Sequence, residues 1–308
     1  MSDEFRSGFV TIVGRPNVGK STLLNQLVGS KVAIVSDRPQ TTRAAVRGVR
    51  TTPQSQTVFI DTPGIHKPRT LLGERTNERA RATLGEVDVV CMLVEANAPI
   101  GSGDRFIADL VQQVETPKLL VVNKVDRAGK PAVAEHLVEA ARDLGDFDAY
   151  VPLSALTGEG TDALLGEIES RLPEGPRYYP EGIATDQPET FLAAELLREK
   201  LLAVARDELP HSITVSVEEM DDVEDTDAPD AESETEDPVL RLRAVIRVER
   251  ESQRGIVIGH RGRVLKEAGT AARRELEALF GVRVYLETRV QVERDWQRRA
   301  HALDRLGY

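Results

Sequence analysis

Short apolar runs alternate with amphipathic stretches over roughly the first 170 residues, and this pattern predicts strands alternating with helices. The predicted strands are 9–13, 54–60, 87–94, 118–122 and 149–153; the predicted helices are 22–28, one that begins at Ser102, and 161–171. A polar loop is expected over 31–43. Alternating strands and helices favour an α/β fold with a mostly parallel sheet, whose ligand loops lie at the carboxyl ends of the strands.

The pattern changes near residue 173, where a second domain is expected to follow a linker. Residues 174–188 are rich in proline and glycine, which is typical of a linker. The pattern beyond it predicts a helix at 188–202, strands at 211–217 and 239–248, a short helix ending at Ile258, a helix at 263–280, a strand at 282–290 and a helix at 294–306. We therefore predict one domain at 1–173 and a second, of α+β type, at 189–308.

The composition is that of a globular protein in a reducing compartment. The chain has 308 residues, of which 40% are apolar and 30% charged. Its single cysteine, Cys91, lies in an apolar run and is expected to be a core strand residue and not a nucleophile. The N-terminus has no apolar signal core, and no apolar stretch reaches the roughly 18 residues that span a bilayer. These features predict a cytoplasmic protein, and we expect a monomer without a structural metal.

The formal net charge of −11 is unevenly distributed. Ten acidic residues and no lysine or arginine lie between Asp221 and Asp237, so residues 220–238 are expected to form a disordered hairpin insertion. An alternative role for this insertion is an electrostatic decoy for a basic face. From Pro238 to Tyr308 the chain carries sixteen lysines and arginines against nine acidic residues, a surplus of seven. The C-terminal region is therefore basic enough to bind nucleic acid.

A phosphate-binding loop is predicted between the first strand and the first helix. The motif runs Gly14-Arg15-Pro16-Asn17-Val18-Gly19-Lys20-Ser21-Thr22. Its glycines let successive backbone N–H groups point at one phosphate chain, and the N-terminus of the following helix adds its positive dipole end. Lys20 would neutralise the outer phosphates, and the Ser21 hydroxyl would hold Mg²⁺. A plain glycine-rich turn is disfavoured because the full spacing is present.

Two further segments have the chemistry of a phosphate sensor. Gln40-Thr41-Thr42-Arg43 lies about twenty residues beyond the loop, where a threonine can complete the Mg²⁺ shell and respond to the terminal phosphate. Asp61-Thr62-Pro63-Gly64 follows a predicted strand. Asp61 would hold Mg²⁺ through water, and Gly64 would offer its backbone N–H to the terminal phosphate. The residues alone leave Thr41 and Thr42 both open as the Mg²⁺ ligand.

Asn123-Lys124-Val125-Asp126 at the end of a predicted strand indicates guanine selection. The Asp126 carboxylate can accept both N–H groups on one edge of guanine, whereas adenine has no equivalent pair there. Asn123 and Lys124 would fix the loop and cover the ring. Ser154-Ala155 ends the next strand, where the Ala155 N–H could meet the guanine carbonyl. This signature disfavours a nucleotide kinase and favours a GTP-binding domain that takes up GTP and GDP.

The second domain contains a candidate RNA clamp. Gly259-His260-Arg261-Gly262 lies between two predicted helices, and its glycines would let an RNA backbone approach closely. Arg261, Arg263 and Lys266 would meet phosphates, and His260 could contact a nucleotide. The predicted order of helix, two strands, two helices, strand and helix matches the bacterial (type II) arrangement of the KH fold plus a terminal helix.

Together these motifs resemble the Era family of bacterial GTPases over nearly the whole chain; the acidic insertion departs from the usual pattern. The resemblance implies a GTPase that assists 30S ribosomal subunit assembly by binding the 3′-end region of small-subunit (16S) ribosomal RNA in a pre-30S particle. It also implies peripheral contact with the inner face of the cell membrane. The alternative is a membrane-associated signalling GTPase without RNA as its main partner. A tandem-domain ribosome GTPase is disfavoured because the phosphate loop occurs once.

The resemblance also assigns roles within the predicted site. Ras-like proteins have a water-orienting glutamine at the position aligned with Ile65, so slow hydrolysis is implied. Asn17 aligns with an asparagine that helps to bind K⁺ beside the phosphates. Alignment favours Thr42 over Thr41 as the Mg²⁺ ligand, which completes a metal set of Ser21, Thr42 and Asp61 and a catalytic set of Lys20, Thr42 and Gly64.

Overall fold

The computed structural model describes residues 5–36, 41–66, 68–205, 212–223 and 239–308. The chain divides into two compact units, one reaching to Asp186 and a second comprising Gln187–Gly307. Within the described ranges, no helix is both long and apolar enough to span a bilayer.

The first unit is built on a six-stranded sheet with the order β2-β3-β1-β4-β5-β6. All neighbouring strands are parallel except β2, which runs antiparallel to β3. The strands are β1 (Arg6–Gly14), β2 (Val46–Thr51), β3 (Ser55–Asp61), β4 (Val89–Glu95), β5 (Lys118–Asn123) and β6 (Ala149–Pro152). The helices are α1 (Lys20–Val28), α2 (Leu71–Leu84), α3 (Ser102–Val111), α4 (Lys130–Asp143) and α5 (Thr161–Glu169). The predicted α/β class is confirmed, and every predicted strand of this unit is present.

Three elements of the first unit were not predicted from the hydrophobic pattern. Helix α2 buries small and polar residues, among them Thr76 and Asn77, and α4 buries only three residues, one of them His136. Strand β2 lies just beyond the predicted polar loop. Because few large apolar side chains mark their buried faces, these elements give little periodic signal.

The core of this unit surrounds the central strands. Val10 and Ile12 of β1 and residues 89–94 of β4 are almost completely buried. Cys91 lies among them, and burial raises the pKa of its thiol to about 12. A thiol that stays protonated is a poor nucleophile, which agrees with the core role expected for Cys91.

Most of the predicted linker packs on the first unit. The Gln56 side chain in β3 accepts hydrogen bonds from the backbone N–H groups of Tyr178 and Tyr179, at 2.7 and 2.9 Å. The rings of Tyr178 and Phe9 lie 4.9 Å apart. On β2, the Val49 N–H donates to the Ala184 carbonyl at 2.8 Å. Residues up to Asp186 therefore cover the edge of the sheet.

The second unit contains a three-stranded sheet with the order β7-β8-β9, in which β7 is antiparallel and β9 parallel to β8. The strands are β7 (Thr214–Val223), β8 (Val239–Val248) and β9 (Arg283–Val292); the helices are α6 (Glu189–Val204), α7 (Glu251–Ile258), α8 (Arg263–Phe280) and α9 (Ala300–Arg305). This order of elements is the one predicted from the sequence.

Two boundaries in the second unit correct the sequence prediction. Strand β7 extends to Val223, and Asp221 pairs with Arg241, so the first residues of the predicted disordered insertion belong to the sheet. Residues 224–238 and His211 lie outside the described residues. The predicted helix at 294–306 is a 3-10 turn, Trp296–Arg298, followed by the short α9.

Candidate functional sites

A cleft of about 370 Å³ opens at the carboxyl edge of the six-stranded sheet. It gathers most of the predicted nucleotide-binding residues. Its lining residues are Pro16, Asn17, Gly19, Lys20, Ser21, Thr22, Ile34, Val35, Ser36, Thr41, Thr42, Gly64, Asn123, Lys124, Asp126, Arg127, Ala155 and Leu156. Arg15, Val18, Asp61 and Ser154, which were also predicted to bind nucleotide, are not among its lining residues, and their contacts are described below. The sequence motifs therefore converge on one site.

Lys20 is buried in the phosphate loop at the start of α1. Its Nζ donates to the backbone oxygens of Gly14 at 3.2 Å and Arg15 at 3.0 Å. Burial lowers the pKa of Lys20 to about 8, and the nearby Asp61 charge partly opposes this shift. The ammonium group is therefore held beside the loop backbone, where phosphates would bind.

Ser21, Thr42 and Asp61 form a cluster of oxygen atoms. The Ser21 and Thr42 hydroxyls donate to Asp61 Oδ2 at 2.6 and 3.1 Å, and the two hydroxyl oxygens are 2.9 Å apart. Asp61 is fully buried, its Oδ1 has no hydrogen-bond partner among the described residues, and burial raises the pKa of its carboxyl group. An all-oxygen donor set with an orphaned carboxylate oxygen fits Mg²⁺, a hard cation. Thr42, the threonine favoured from the sequence, supplies one of these oxygens.

The Asp-Thr-Pro-Gly segment packs directly against the phosphate loop. A Cβ atom added at Gly64 would lie 2.8 Å from the Pro16 backbone nitrogen, so only glycine fits there. The next residue, Ile65, is 3% exposed and belongs to the core cluster that includes Ala80 and Met92. An apolar side chain buried in the core cannot orient a water molecule.

The guanine-selecting segments are bound to each other and to the phosphate loop. Asn123 donates from Nδ2 to the Val18 carbonyl at 2.8 Å and accepts at Oδ1 from the Ala155 N–H at 2.9 Å. The Ser154 hydroxyl donates to Asp126 Oδ1 at 2.6 Å. The Val18 carbonyl and the Ser154 hydroxyl therefore each make a hydrogen bond to another predicted site residue. The Ala155 N–H, which was predicted to meet the guanine carbonyl, donates in this structure to Asn123.

Lys124 and Arg15 form ion pairs that no motif marks. Lys124 Nζ donates to the Asn17 carbonyl at 2.7 Å and pairs with Glu95 at the end of β4. Arg15 was predicted to bind nucleotide, but its Nε donates to Asp104 Oδ1 in α3 at 2.7 Å. Sequence reasoning missed Glu95 and Asp104 because their only local signals are a strand end and a helix start.

The glycine-rich loop of the second unit joins α7 to α8. Gly259, Arg261 and Gly262 have positive φ angles of 72°, 52° and 78°. A Cβ atom at Gly259 would lie 2.5 Å from Val264 Cγ2, whereas one at Gly262 would meet none of the described atoms within 4 Å. The other residues predicted to contact RNA lie in this loop and in the first turn of α8, and all of them are exposed: His260, Arg261, Arg263 and Lys266. The loop therefore combines an open backbone with cationic side chains.

Comparisons with known proteins identify a GTPase family and a KH domain. Residues 9–124 match a family model described as "50S ribosome-binding GTPase", and residues 208–297 match the KH domain. The chain is 47% identical to GTPase Era of Mycobacterium sp. (strain JLS) over 99% of both chains. It is 48% identical to GTPase Era of Nocardioides sp. (strain ATCC BAA-499 / JS614), covering 98% of this chain and 96% of the relative.

Two solved structures match the whole chain. One is a crystal structure of Era in complex with MgGDPNP and nucleotides 1506–1542 of 16S ribosomal RNA, with a TM-score of 0.92, 39% identity and 99% coverage of both chains. The other is a single-residue variant of Aquifex aeolicus Era bound to GDP.AlF4⁻, with a TM-score of 0.91, 38% identity and the same coverage.

Proposed function

Because the chain belongs to the Era family of GTPases, we propose that it is a slowly hydrolysing GTP switch that acts in 30S ribosomal subunit assembly. Its KH domain would bind small-subunit (16S) ribosomal RNA near the 3′ end. The observation that carries this proposal is the presence in one chain of a guanine-type nucleotide cleft and an open, cationic glycine-rich loop. The Era structure that matches 99% of this chain was solved in complex with MgGDPNP and nucleotides 1506–1542 of 16S ribosomal RNA.

Different residues of the cleft bind the phosphates, the metal ion and the guanine base. Lys20 and the backbone N–H groups of the phosphate loop, apart from Pro16, which has none, bind the phosphate chain, and Gly64 offers its N–H to the terminal phosphate. Ser21, Thr42 and Asp61 would hold Mg²⁺, which neutralises charge that develops on the phosphate oxygens when it is bound. Asp126, oriented by Ser154, selects guanine. Asn123, Lys124 and Ala155 hold the base-binding loops in place.

Slow hydrolysis follows from the apolar side chain at position 65. Ile65 is buried in the core and cannot replace the glutamine of Ras-like proteins. Asn17 lines the cleft with a left-handed backbone, at φ 67°, and is our candidate for a K⁺ ligand that would add positive charge beside the phosphates. We expect the wild-type protein to hydrolyse GTP faster in K⁺ than in Na⁺. The Asn17→Ala variant should hydrolyse GTP at the same rate in both salts.

The KH loop would clamp single-stranded RNA. Gly259 and Gly262 admit the RNA backbone, Arg261, Arg263 and Lys266 meet phosphates, and His260 contacts a nucleotide. We place the protein in the cytoplasm, as a monomer that acts on the pre-30S particle. Peripheral membrane contact is supported only by the family resemblance.

The test is the affinity for an RNA of the 16S 3′-end sequence, measured with a non-hydrolysable GTP analogue and with GDP. We expect tighter binding in the GTP state and a large loss in Gly262→Asp, with GDP binding unchanged in that variant. Equal RNA affinity in both nucleotide states would remove the switch. RNA binding untouched by Gly262→Asp would instead favour a signalling GTPase without RNA as its main partner.

A further inference from the structure

We propose that Asp104 is a positioning residue for the nucleotide site, which it serves by holding the side chain of Arg15. This role lies outside the sequence motifs, since Asp104 belongs to α3 and is 89 residues from Arg15 in the chain. It rests on the nucleotide binding proposed above and concerns how the phosphate loop is kept in its binding conformation.

The Asp104 carboxylate is buried, and each of its two oxygens accepts a hydrogen bond. The residue is 1% exposed; its Oδ1 accepts from Arg15 Nε at 2.7 Å, and its Oδ2 accepts from the Gly101 N–H at 2.9 Å. Arg15 is about one-third exposed, so the pair has one buried and one accessible partner. A buried carboxylate that loses its cationic partner is strongly disfavoured, and the ion pair therefore holds Arg15 in one place.

The shape of the first turn of α3 also holds Arg15. Gly103 lies against the arginine stem: a Cβ atom added there would be 2.8 Å from Arg15 Cδ and 3.3 Å from its Cγ. A side chain at position 103 would push Arg15 away without changing any charge. Charge and close packing therefore keep the same conformation of Arg15.

The position of Arg15 bears directly on the phosphate site. Its backbone oxygen accepts from Lys20 Nζ at 3.0 Å, so the residue anchored by Asp104 also supports the ammonium group that would neutralise the phosphates. The next residue, Pro16, is the one that Gly64 approaches closely. Holding Arg15 in place therefore holds the loop backbone at Arg15 and Pro16, which contacts Lys20 on one side and Gly64 on the other. Without that anchor the loop would have to be ordered when nucleotide binds, which lowers affinity.

The test is a double-mutant cycle on the full-length protein with Arg15→Ala, Asp104→Asn and both changes together. Asparagine can still accept from the Gly101 N–H, so it retains the helix cap while removing the charge. We expect each single change to raise the Kd for GDP about tenfold and the double change to raise it no further. The KM for GTP should rise in parallel with the Kd for GDP. The kcat at saturating GTP should change less than about threefold, because the cost of ordering the loop affects the ground state and the transition state alike.

Arg105→Ala is the matched control. Arg105 is the next residue of α3 and pairs with Asp143 at 2.7 Å, away from the cleft lining. Its loss should leave the Kd for GDP unchanged. Gly103→Ala supplies an independent variant that displaces Arg15 by packing: it should weaken GDP binding in the wild-type background and have no further effect with Arg15→Ala. If Asp104→Asn fails to fold, the comparison of Gly103→Ala with and without Arg15→Ala still tests the proposal.

Three outcomes would contradict or redirect the proposal. If Arg15→Ala weakens GDP binding equally with and without Asp104→Asn, or with and without Gly103→Ala, then Arg15 contacts nucleotide directly and Asp104 does not position it. Variants that bind GDP as well as the wild type would show that the anchor has no role. A wild-type protein that fails to bind GDP would instead overturn the proposed function.

Discussion

Lys20 is buried at the phosphate loop, and this burial makes nucleotide affinity depend on pH. Its pKa is lowered to about 8 in the nucleotide-free protein, and bound phosphates favour the charged ammonium form. Nucleotide binding above that pH must therefore take up a proton. We expect the Kd for GDP to be flat below pH 8 and to rise by up to about tenfold per pH unit above it, as one-proton linkage requires.

Calorimetric titration of GDP between about pH 7 and about pH 9.5, in buffers of different ionisation enthalpy, measures both the Kd and the proton uptake. Lys20→Arg is the control, since a guanidinium group remains charged over this range and should give no proton uptake. A flat profile for the wild type would mean that Lys20 is already charged before nucleotide binds.

Ser154 is predicted to act on guanine selection through Asp126. Its hydroxyl donates to Asp126 Oδ1 at 2.6 Å, so Ser154→Ala leaves that carboxylate free to turn away from the base. A hydrogen bond to a charged group contributes about 1.5–3 kcal/mol, and we expect the Kd for GDP to rise at least about tenfold. Discrimination against inosine diphosphate should fall as well, because that base lacks the exocyclic amine that Asp126 would accept from.

Thr157→Ala tests whether this effect is specific to Ser154. Thr157 is exposed on the same loop, and its side chain accepts a long, weak hydrogen bond of 3.4 Å from the Glu159 N–H. The preference of this variant for GDP over inosine diphosphate should match that of the wild type. An unchanged preference in Ser154→Ala would show that Asp126 needs no orienting partner.

At the scale of elements, the two glycines that join α7 to α8 are expected to differ. Both have positive φ, which costs a non-glycine residue about 1–2 kcal/mol. Gly259 also faces Val264 at 2.5 Å, whereas Gly262 faces open space. Gly259→Ala should therefore lower the free energy of unfolding of the second unit by more than Gly262→Ala does.

Urea unfolding monitored at Trp296, which is buried in this unit, measures that difference. Gly262→Ala should weaken RNA binding although it destabilises the unit less than Gly259→Ala does, because the added methyl group faces the surface that RNA would approach. Equal stability losses in the two variants would mean that Val264 moves aside without cost.

For the molecule as a whole, the uneven distribution of charge allows an acidic protein to bind RNA. The protein carries a formal charge of −11, yet residues 238–308 have a surplus of seven positive charges. We expect RNA affinity to fall steeply with salt. Neutralising one phosphate contact, as in Arg261→Gln, should reduce the slope of log K against log salt by about 0.7 for a single strand.

Arg105→Gln makes the same charge change in the first unit and should leave the slope unaltered. Fluorescence anisotropy between about 50 and about 300 mM KCl spans the range over which counterion release is measurable. An unaltered slope in Arg261→Gln would remove this residue from the RNA contacts.

Local sequence determined the elements with strong periodicity and the motifs with a defined spacing. Strand β8 and helix α8 have the predicted bounds, and the phosphate loop lies between β1 and α1 as expected. The signal in each case lies within a few residues, because hydrogen-bond periodicity and glycine conformation are local properties. Helices α2 and α4 were not predicted because few of their buried residues are large and apolar: Leu72 and Leu84 in α2, and Val133 in α4.

The tertiary structure alone decided which distant side chains meet. It placed the hydroxyl of Thr42 beside Ser21 and Asp61, where local sequence left Thr41 and Thr42 equivalent. It also turned Arg15 onto Asp104 and brought Lys124 to Glu95. Burial gives these contacts their strength, since a charge removed from water must find a partner, and which partner is near depends on the packing of the sheet and helices. The sequence by itself therefore determined the chemistry of the site, and the packed fold determined the residues that support it.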